Sequence, residues 1–127
     1  MKTIVITSWY FNPVHPWHIE CLELCRELWD ELRVIVNNDN QAKLKTGKDT
    51  VFQDENFRMR VVSALRVVDN VMLSVDQDGS VCESIKEITK RLKKNMVMIL
   101  LYIFENDEID FREISQKFKF VKIYELR

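Results

Sequence analysis

Continuous apolar segments rich in β-branched residues alternate along this chain with segments in which apolar residues recur every three or four positions. The first pattern predicts buried strands, and the second predicts helices with one face on a core. The strand-like segments are Thr3–Ser8, Leu32–Val36, Asn70–Ser74, Met96–Phe104 and Phe120–Tyr124. Because strands and helices alternate, we expect an α/β fold with a parallel sheet between two layers of helices.

Four helical segments and one loop are predicted between and after the strands. The first helix begins near Pro16, and its apolar stripe is Ile19, Leu22, Cys25, Trp29 and Leu32. The second has Asp54 as its N-cap and the stripe Phe57, Val61, Ala64, Leu65 and Val68. A capping turn, Asp76–Ser80, precedes the third, which carries Ile85, Ile88 and Leu92. A short helix is predicted at Asp110–Lys117, and the lysines at 43, 45 and 48 are expected in a polar loop.

Composition narrows the class of protein. A length of 127 residues indicates one domain, and a net charge of −1 without a basic block gives no support for nucleic-acid binding. The three cysteines form no CxxC pair, which favours a reducing, cytoplasmic setting over disulfides. The longest apolar run, Met96–Phe104, is too short to span a membrane, so no membrane partner is expected.

The candidate chemistry lies in the segment Phe11-Asn12-Pro13-Val14-His15-Pro16-Trp17-His18, between the first strand and the first helix. Residues three apart share one side of a helical turn, so His15 and His18 should lie together. The free backbone N–H groups of a helix start, with their partial positive charge, suit a phosphate. In a parallel sheet, ligands bind at the carboxyl ends of the strands, where this segment begins. The sequence therefore predicts a phosphate site here.

These residues resemble the cytidylyltransferase-like nucleotidyltransferases, whose signature is G-x-F-(D/N)-P-x-H-x-G-H. The likeness continues through Val34–Asp39, the lysine segment, Phe52–Glu55 with Arg58, and Val68–Glu83. It implies a Rossmann-like three-layer α/β/α domain over 1–127 with a five-stranded parallel sheet. It also implies transfer of CMP or AMP from CTP or ATP to a phosphorylated alcohol or sugar, with Mg²⁺ as cofactor and no resident metal ligands in the chain. Pyrophosphate is released, and a homodimer is expected.

Carried over to this chain, the resemblance gives roles to single residues. It makes His15, His18 and Lys45 catalytic, through phosphate binding and charge neutralisation. Tyr10, Phe11 and Asn12 would bind the nucleotide together with the two histidines. Asp39 and Arg58 would bind the acceptor, and Asp39 would alternatively hold Mg²⁺ through water.

Tryptophans stand where the family signature has glycines. Trp9 precedes the aromatic pair, Trp17 lies between the histidines, and Trp29 follows the first helix, where a left-handed residue is usual. Trp9 and Trp17 would either stack a base or fill the nucleotide site. A Ser/Thr-rich segment of the family has no counterpart in this sequence. These departures support an alternative: a non-catalytic scaffold or oligomerising module whose site is occluded by Trp9 and Trp17.

Overall fold

The computed structural model describes residues 3–91, 97–103 and 121–126, with side-chain surroundings for 3–91. The elements, in chain order, are β1 (Thr3–Trp9), α1 (Pro16–Leu28), β2 (Glu31–Val36), α2 (Asp39–Thr46), α3 (Glu55–Ser63), β3 (Asn70–Leu73), α4 (Cys82–Lys90), β4 (Val97–Ile103) and β5 (Val121–Leu126). The short helix predicted at Asp110–Lys117 lies outside the described residues.

The strands form a sheet in the order β3-β2-β1-β4-β5, and every described pairing is parallel. This confirms the predicted Rossmann-like α/β class. The chain moves from β1 to β2 on one side, and later returns to place β4 on the other side of β1. The direction of winding therefore changes at β1, which leaves a crevice at its carboxyl end, where such folds bind ligands.

Side chains alternate between two apolar layers along the central strands. On one face Val5 and Trp9 of β1 join Leu32, Val34 and Val36 of β2 in a cluster with Leu22, Cys25 and Val62 from α1 and α3. Ile4, Ile6 and Ile35 are also buried, but outside this cluster, as expected for residues of opposite parity in the strands. The central strands are therefore buried on both faces, which accounts for their continuous apolar sequence.

Lys43 and Lys45 lie in a helix, α2, which corrects the loop predicted for them, whereas Lys48 follows the helix as predicted. Asn38 caps α2, because its Oδ1 accepts from the Gln41 N–H at 2.9 Å while Gln41 Oε1 accepts from the Asn38 N–H at 3.0 Å. Gly47 ends the helix with φ 71°, a left-handed conformation that glycine adopts without steric cost. The helix is short and polar, so it shows little apolar periodicity, and only its caps signal it in the sequence.

The apolar stripe predicted for the second helix is only partly confirmed, because Leu65 and Val68 pack against the core but lie beyond the end of α3. In α3 the buried side chains are Arg58 and Val62, whereas Phe57 is largely exposed. The predicted cap is confirmed, since Asp54 Oδ1 accepts from the Phe57 N–H at 2.8 Å. The stripe is displaced because the helix turns the Arg58 guanidinium inward, where backbone carbonyls bind it.

Candidate active site

The connection from β1 to α1 is held in one unusual conformation. Phe11 has φ 53° and is buried, and Asn12–Pro13 is a cis peptide. A left-handed phenylalanine costs of order 1–3 kcal/mol, which burial of its ring can offset. Asn12 Oδ1 accepts from the Gln53 N–H at 2.9 Å, so the loop before α3 braces this connection.

The two histidines lie together at the start of α1, as predicted. Their ring centroids are 3.7 Å apart and their planes are inclined by 33°. The backbone N–H of His15, the N-cap residue, donates to His18 Nδ1 at 3.2 Å. An imidazole that accepts at Nδ1 carries its proton on Nε2 when neutral. His18 therefore presents Nε2 as its donor.

Burial sets the charge of His18. Its side chain is 5% exposed, whereas His15 is exposed. Burial, followed by the nearby His15 charge, lowers the pKa of His18 from 6.5 to about 4. At neutral pH His18 is an uncharged hydrogen-bond donor rather than a cation.

A pocket of about 280 Å³ opens beside these histidines. Its lining residues come from the β1–α1 connection and from α2: Tyr10, Phe11, Asn12, Pro13, His15, His18, Ala42, Lys45 and Thr46. All the predicted catalytic and nucleotide-binding residues therefore line one pocket. The correction to α2 explains why, since a helix rather than a loop brings Lys45 to its wall.

Lys45 supplies the positive charge of the pocket. Its Nζ lies 4.4 Å from the centroid of the Tyr10 ring, a cation–π contact across the pocket wall. Lys43, two residues earlier on the same helix, is exposed and does not line the pocket. The site thus combines an ammonium group, two imidazoles and a helix start, all of which favour an anion.

The Arg58 side chain is 0% exposed and is bound by the protein, so its predicted contact with the acceptor stays a prediction. Nη1 donates to the Tyr10 and Asn37 carbonyls at 2.7 and 2.6 Å, and Nε donates to the Gln53 carbonyl at 2.8 Å. The guanidinium thus joins the carboxyl ends of β1 and β2 to the start of α3. Sequence reasoning assigned Arg58 to the site but missed this supporting role.

Asp39 is held by the same guanidinium. Arg58 Nη2 donates to Asp39 Oδ1 at 2.8 Å, and the Asp39 backbone N–H donates to Glu55 Oε1 at 3.1 Å. The Asp39 side chain is 25% exposed, and it does not line the pocket described above. Its predicted contact with an acceptor stays a prediction.

Mg²⁺ fits this site only as an ion brought by a nucleotide. The described residues contain no group of three or more His, Cys, Asp or Glu side chains able to hold a metal. Mg²⁺ in phosphate-transfer sites is commonly held by substrate phosphates and one or two carboxylates. Asp39, to which the resemblance assigns Mg²⁺ through water, does not line the pocket, so this role stays a prediction.

The tryptophans at glycine positions do not line the pocket. Trp9 is 3% exposed and belongs to the core, so it offers no free face for a base. Trp17 is 42% exposed and packs on Trp9, with ring centroids 5.6 Å apart. Trp29 ends α1 with φ −132°, an extended conformation, so the left-handed residue expected there is not needed. Occlusion of the nucleotide site by Trp9 and Trp17 therefore stays a prediction.

No helix among the described residues is long and apolar enough to cross a membrane.

Comparison with known proteins identifies the class. The cytidylyltransferase-like family model matches residues 10–126, so the chain belongs to that family of nucleotidyltransferases. The match includes both histidines, the whole pocket lining and the strands of the sheet from β2 onward.

Three relatives and one solved structure are similar to this chain, some over most of its length and one over about half. FAD synthase from Pyrococcus horikoshii is 29% identical over 118 residues, 93% of this chain and 73% of the relative. FAD synthase from Pyrococcus abyssi is 30% identical over 115 residues, 91% of this chain and 71% of the relative. The bifunctional protein HldE from Actinobacillus pleuropneumoniae is 41% identical over 71 residues, 56% of this chain and 15% of the relative. The crystal structure of a lipopolysaccharide core biosynthesis protein from Thermoplasma volcanium matches with a TM-score of 0.77 and 27% identity, covering 100% of this chain and 98% of that one.

Proposed function

We propose that this protein transfers a nucleotidyl group, AMP or CMP, from a nucleoside triphosphate to a phosphorylated alcohol or sugar and releases pyrophosphate. The observation that carries the proposal is the pocket at the start of α1, where His15, His18 and Lys45 converge. The family supports nucleotidyl transfer in general. We further propose that the whole chain is one nucleotidyltransferase-like domain.

In this reaction a phosphate oxygen of the acceptor attacks the α-phosphorus of the nucleotide. The bond from that phosphorus to the bridging oxygen breaks, and pyrophosphate leaves with the bonding electron pair. Catalysis of this step depends on alignment and on stabilising the charge that builds on the phosphoryl oxygens. His18 would donate its Nε2–H to such an oxygen without a proton transfer, and Lys45 would neutralise charge on the remaining phosphates. Bound Mg²⁺ would add further neutralisation.

ATP is the donor we favour. The two relatives that match more than nine tenths of this chain are named FAD synthase, and FAD contains an AMP unit. CTP is the other donor consistent with the family. Thermal unfolding with each nucleotide and Mg²⁺ separates them, because a ligand at a hundred times its Kd adds about 2.7 kcal/mol of stability. A shift with ATP and none with CTP is the expected result.

The reaction itself is tested by pyrophosphate release with ATP, Mg²⁺ and a panel of phosphorylated alcohols and sugars. His18→Ala should lower the rate by at least about 100-fold, the usual cost of losing one donor to the transition state. Lys45→Ala should lower it by about tenfold. Lys43→Ala is the matched control, since it removes an exposed lysine of the same helix that lies outside the pocket lining. Equal loss in Lys43→Ala and Lys45→Ala, or full turnover in His18→Ala with native circular dichroism, would refute this site.

The second candidate is a non-catalytic relative that serves as a scaffold or oligomerising module. It is favoured by the tryptophans at two glycine positions of the signature, Trp9 and Trp17. If Trp17 impedes nucleotide binding, Trp17→Gly should enlarge the thermal shift produced by ATP. An unchanged or smaller shift removes this ground for the scaffold function.

We also propose a cytoplasmic homodimer. The cytoplasmic setting is supported by the free thiols of Cys21 and Cys25, and the dimer by family resemblance alone. Sedimentation equilibrium under reducing conditions should give about twice the chain mass of 15.2 kDa. A single species of one chain mass at all concentrations would exclude the dimer.

A further inference from the structure

The two tryptophans at glycine positions of the signature form one aromatic stack around His18. The Trp9 ring centroid lies 4.6 Å from that of His18, with the planes inclined by 49°. Trp17 packs on Trp9, with ring centroids 5.6 Å apart, so the side chains at these two positions are in contact with each other. Phe11 meets both Trp9 and His18 through edge contacts at 5.6 and 5.1 Å.

His18 is thereby confined from several directions. Trp9 and Phe11 contact its ring from the core side, and the His15 ring lies 3.7 Å away. Its Nδ1 accepts the His15 backbone N–H at 3.2 Å. Nε2 is at the opposite side of the ring and is the nitrogen left for a pocket ligand. Rotation about the side-chain bonds would break the hydrogen bond and the ring contacts together.

We propose that Trp9 is a positioning residue for His18: its indole, supported by Trp17, holds the imidazole in the one orientation that presents Nε2–H to the pocket. The catalytic consequence of this role rests on the proposed function, whereas the orientation itself is a property of the ligand-free protein. Trp9 and Trp17 thus act together: they occupy the two glycine positions of the signature and keep its hydrogen-bond donor, His18, in place.

Burying an indole at position 9 costs free energy, which indicates that the side chain has a specific role. Trp9 Nε1 is buried without a hydrogen-bond partner in the described part of the chain. Leaving a buried donor unpaired costs about 1–3 kcal/mol. A tryptophan buries 150–250 Å² and makes favourable tilted ring contacts, which can outweigh that cost. Glycine at position 9 would leave one face of the His18 ring without packing.

Electrostatics alone do not fix this orientation. The titratable groups that border the pocket with His18 are Tyr10, from the β1–α1 connection, His15, the N-cap of α1, and Lys45, from α2. Tyr10 is a neutral phenol at pH 7 and adds no charge. His15 and Lys45 are the groups that are cationic when protonated, so they disfavour a charged His18 but select neither of its neutral tautomers. The tautomer is selected by the His15 N–H at Nδ1 and maintained by the rings that keep His18 in place.

Imidazole NMR tests the proposal directly, because the chain contains two histidines. Nitrogen-15 shifts of the ligand-free protein at pH 7 report the tautomer of His18, and His18→Gln assigns its signals. We expect a single Nε2–H tautomer in the native chain and in Trp9→Phe, which keeps an aromatic face. Trp9→Leu should give averaged tautomers and a kcat for pyrophosphate release at least tenfold lower, with KM changed less than threefold.

Trp17→Ala provides the second variant, since it removes a partly exposed side chain from the outer side of the stack and spares the core. It should give partial averaging of the His18 tautomers. A single Nε2–H tautomer in folded Trp9→Leu, or averaging in Trp9→Phe as large as in Trp9→Leu, would overturn the positioning role. If Trp9→Leu does not fold, a wholly native His18 spectrum in Trp17→Ala overturns it. A native chain that shows the expected tautomers without any pyrophosphate release refutes the proposed function and leaves the positioning role supported.

Discussion

Two helices of this protein, α1 and α4, begin at the same edge of the sheet, but different groups surround their N-termini. At α4 the buried Asp76 carboxylate accepts the Glu83 and Ser84 N–H groups, each at 2.9 Å, and Ser84 Oγ also donates to it. At α1 no carboxylate occupies the first turn, and His15 and His18 stand beside an open pocket instead. One helix start is neutralised by the chain itself, and the other is left for a ligand.

The difference indicates that a helix N-terminus is available to a phosphate only where the chain has not satisfied that end itself. α2 and α3 resemble α4 in having a side-chain cap, the neutral amide of Asn38 in α2 and the carboxylate of Asp54 in α3. Among the described helices, α1 is the one that begins with imidazoles rather than an amide or carboxylate cap. Asp76–Ser80 is accordingly a capping turn, as its sequence indicated.

The largest effect is expected at Arg58, which joins the carboxyl ends of β1 and β2 to the start of α3. Arg58→Met leaves the carbonyls of Tyr10, Asn37 and Gln53 and the Asp39 carboxylate without their donor. Removing one partner of a buried, hydrogen-bonded charge pair costs about 3–5 kcal/mol. Urea unfolding should show that loss, while Arg60→Met, an exposed change on the same helix, should stay within about 0.5 kcal/mol. Similar stability for both variants would show that the guanidinium does not support this edge.

A smaller effect should appear as a pH dependence at the α1 start. The folded pKa of His18, about 4, lies below its ordinary value of 6.5, so the unfolded chain takes up the proton first. The stability contributed by neutral His18 is therefore present above pH 6.5 and is lost as the pH falls towards 4. At about 1.4 kcal/mol per pKa unit, the loss reaches up to about 3 kcal/mol.

Urea unfolding between pH 4 and 7 measures this loss. His18→Gln should remove the dependence, and His15→Gln should largely keep it, because His15 is exposed. If the two variants follow the native pH profile equally, the buried imidazole is not its source.

The smallest of these effects is expected at the α4 start. Asp76→Ala exposes two backbone donors and one hydroxyl that the carboxylate now satisfies, at a cost of about 2 kcal/mol. The variant should also leave ATP binding unchanged, because the α1 pocket does not include this residue. Asp49→Ala removes an exposed carboxylate and is the control for net charge. A loss below about 0.5 kcal/mol would show that the α4 end does not depend on its internal anion.

The wrong predictions from the sequence concern α2 and α3, and each has its own physical reason. α2 was predicted as a loop because its eight residues, six of them polar, show no apolar period, although its reciprocal Asn38–Gln41 cap and Gly47 were readable signals. Within α3 the wrong side chains were predicted to be buried. An apolar stripe describes the general polarity of a helix face and does not reveal a single polar side chain that is buried. No local rule predicts that an arginine will turn inward to meet three carbonyls from distant segments.

The sequence by itself determined the alternation of strands and helices, the parallel α/β class and the histidine pair at the first helix start. These depend on short-range periodicity, on turn residues and on a contiguous signature, all of which lie within a few residues of one another. Only the tertiary structure decided that Lys45 reaches the pocket, that Arg58 supports it from within, and that Trp9 and Trp17 pack on each other beside His18. Those outcomes depend on contacts between separate elements, whose geometry is set by the packing of the whole sheet and its helices.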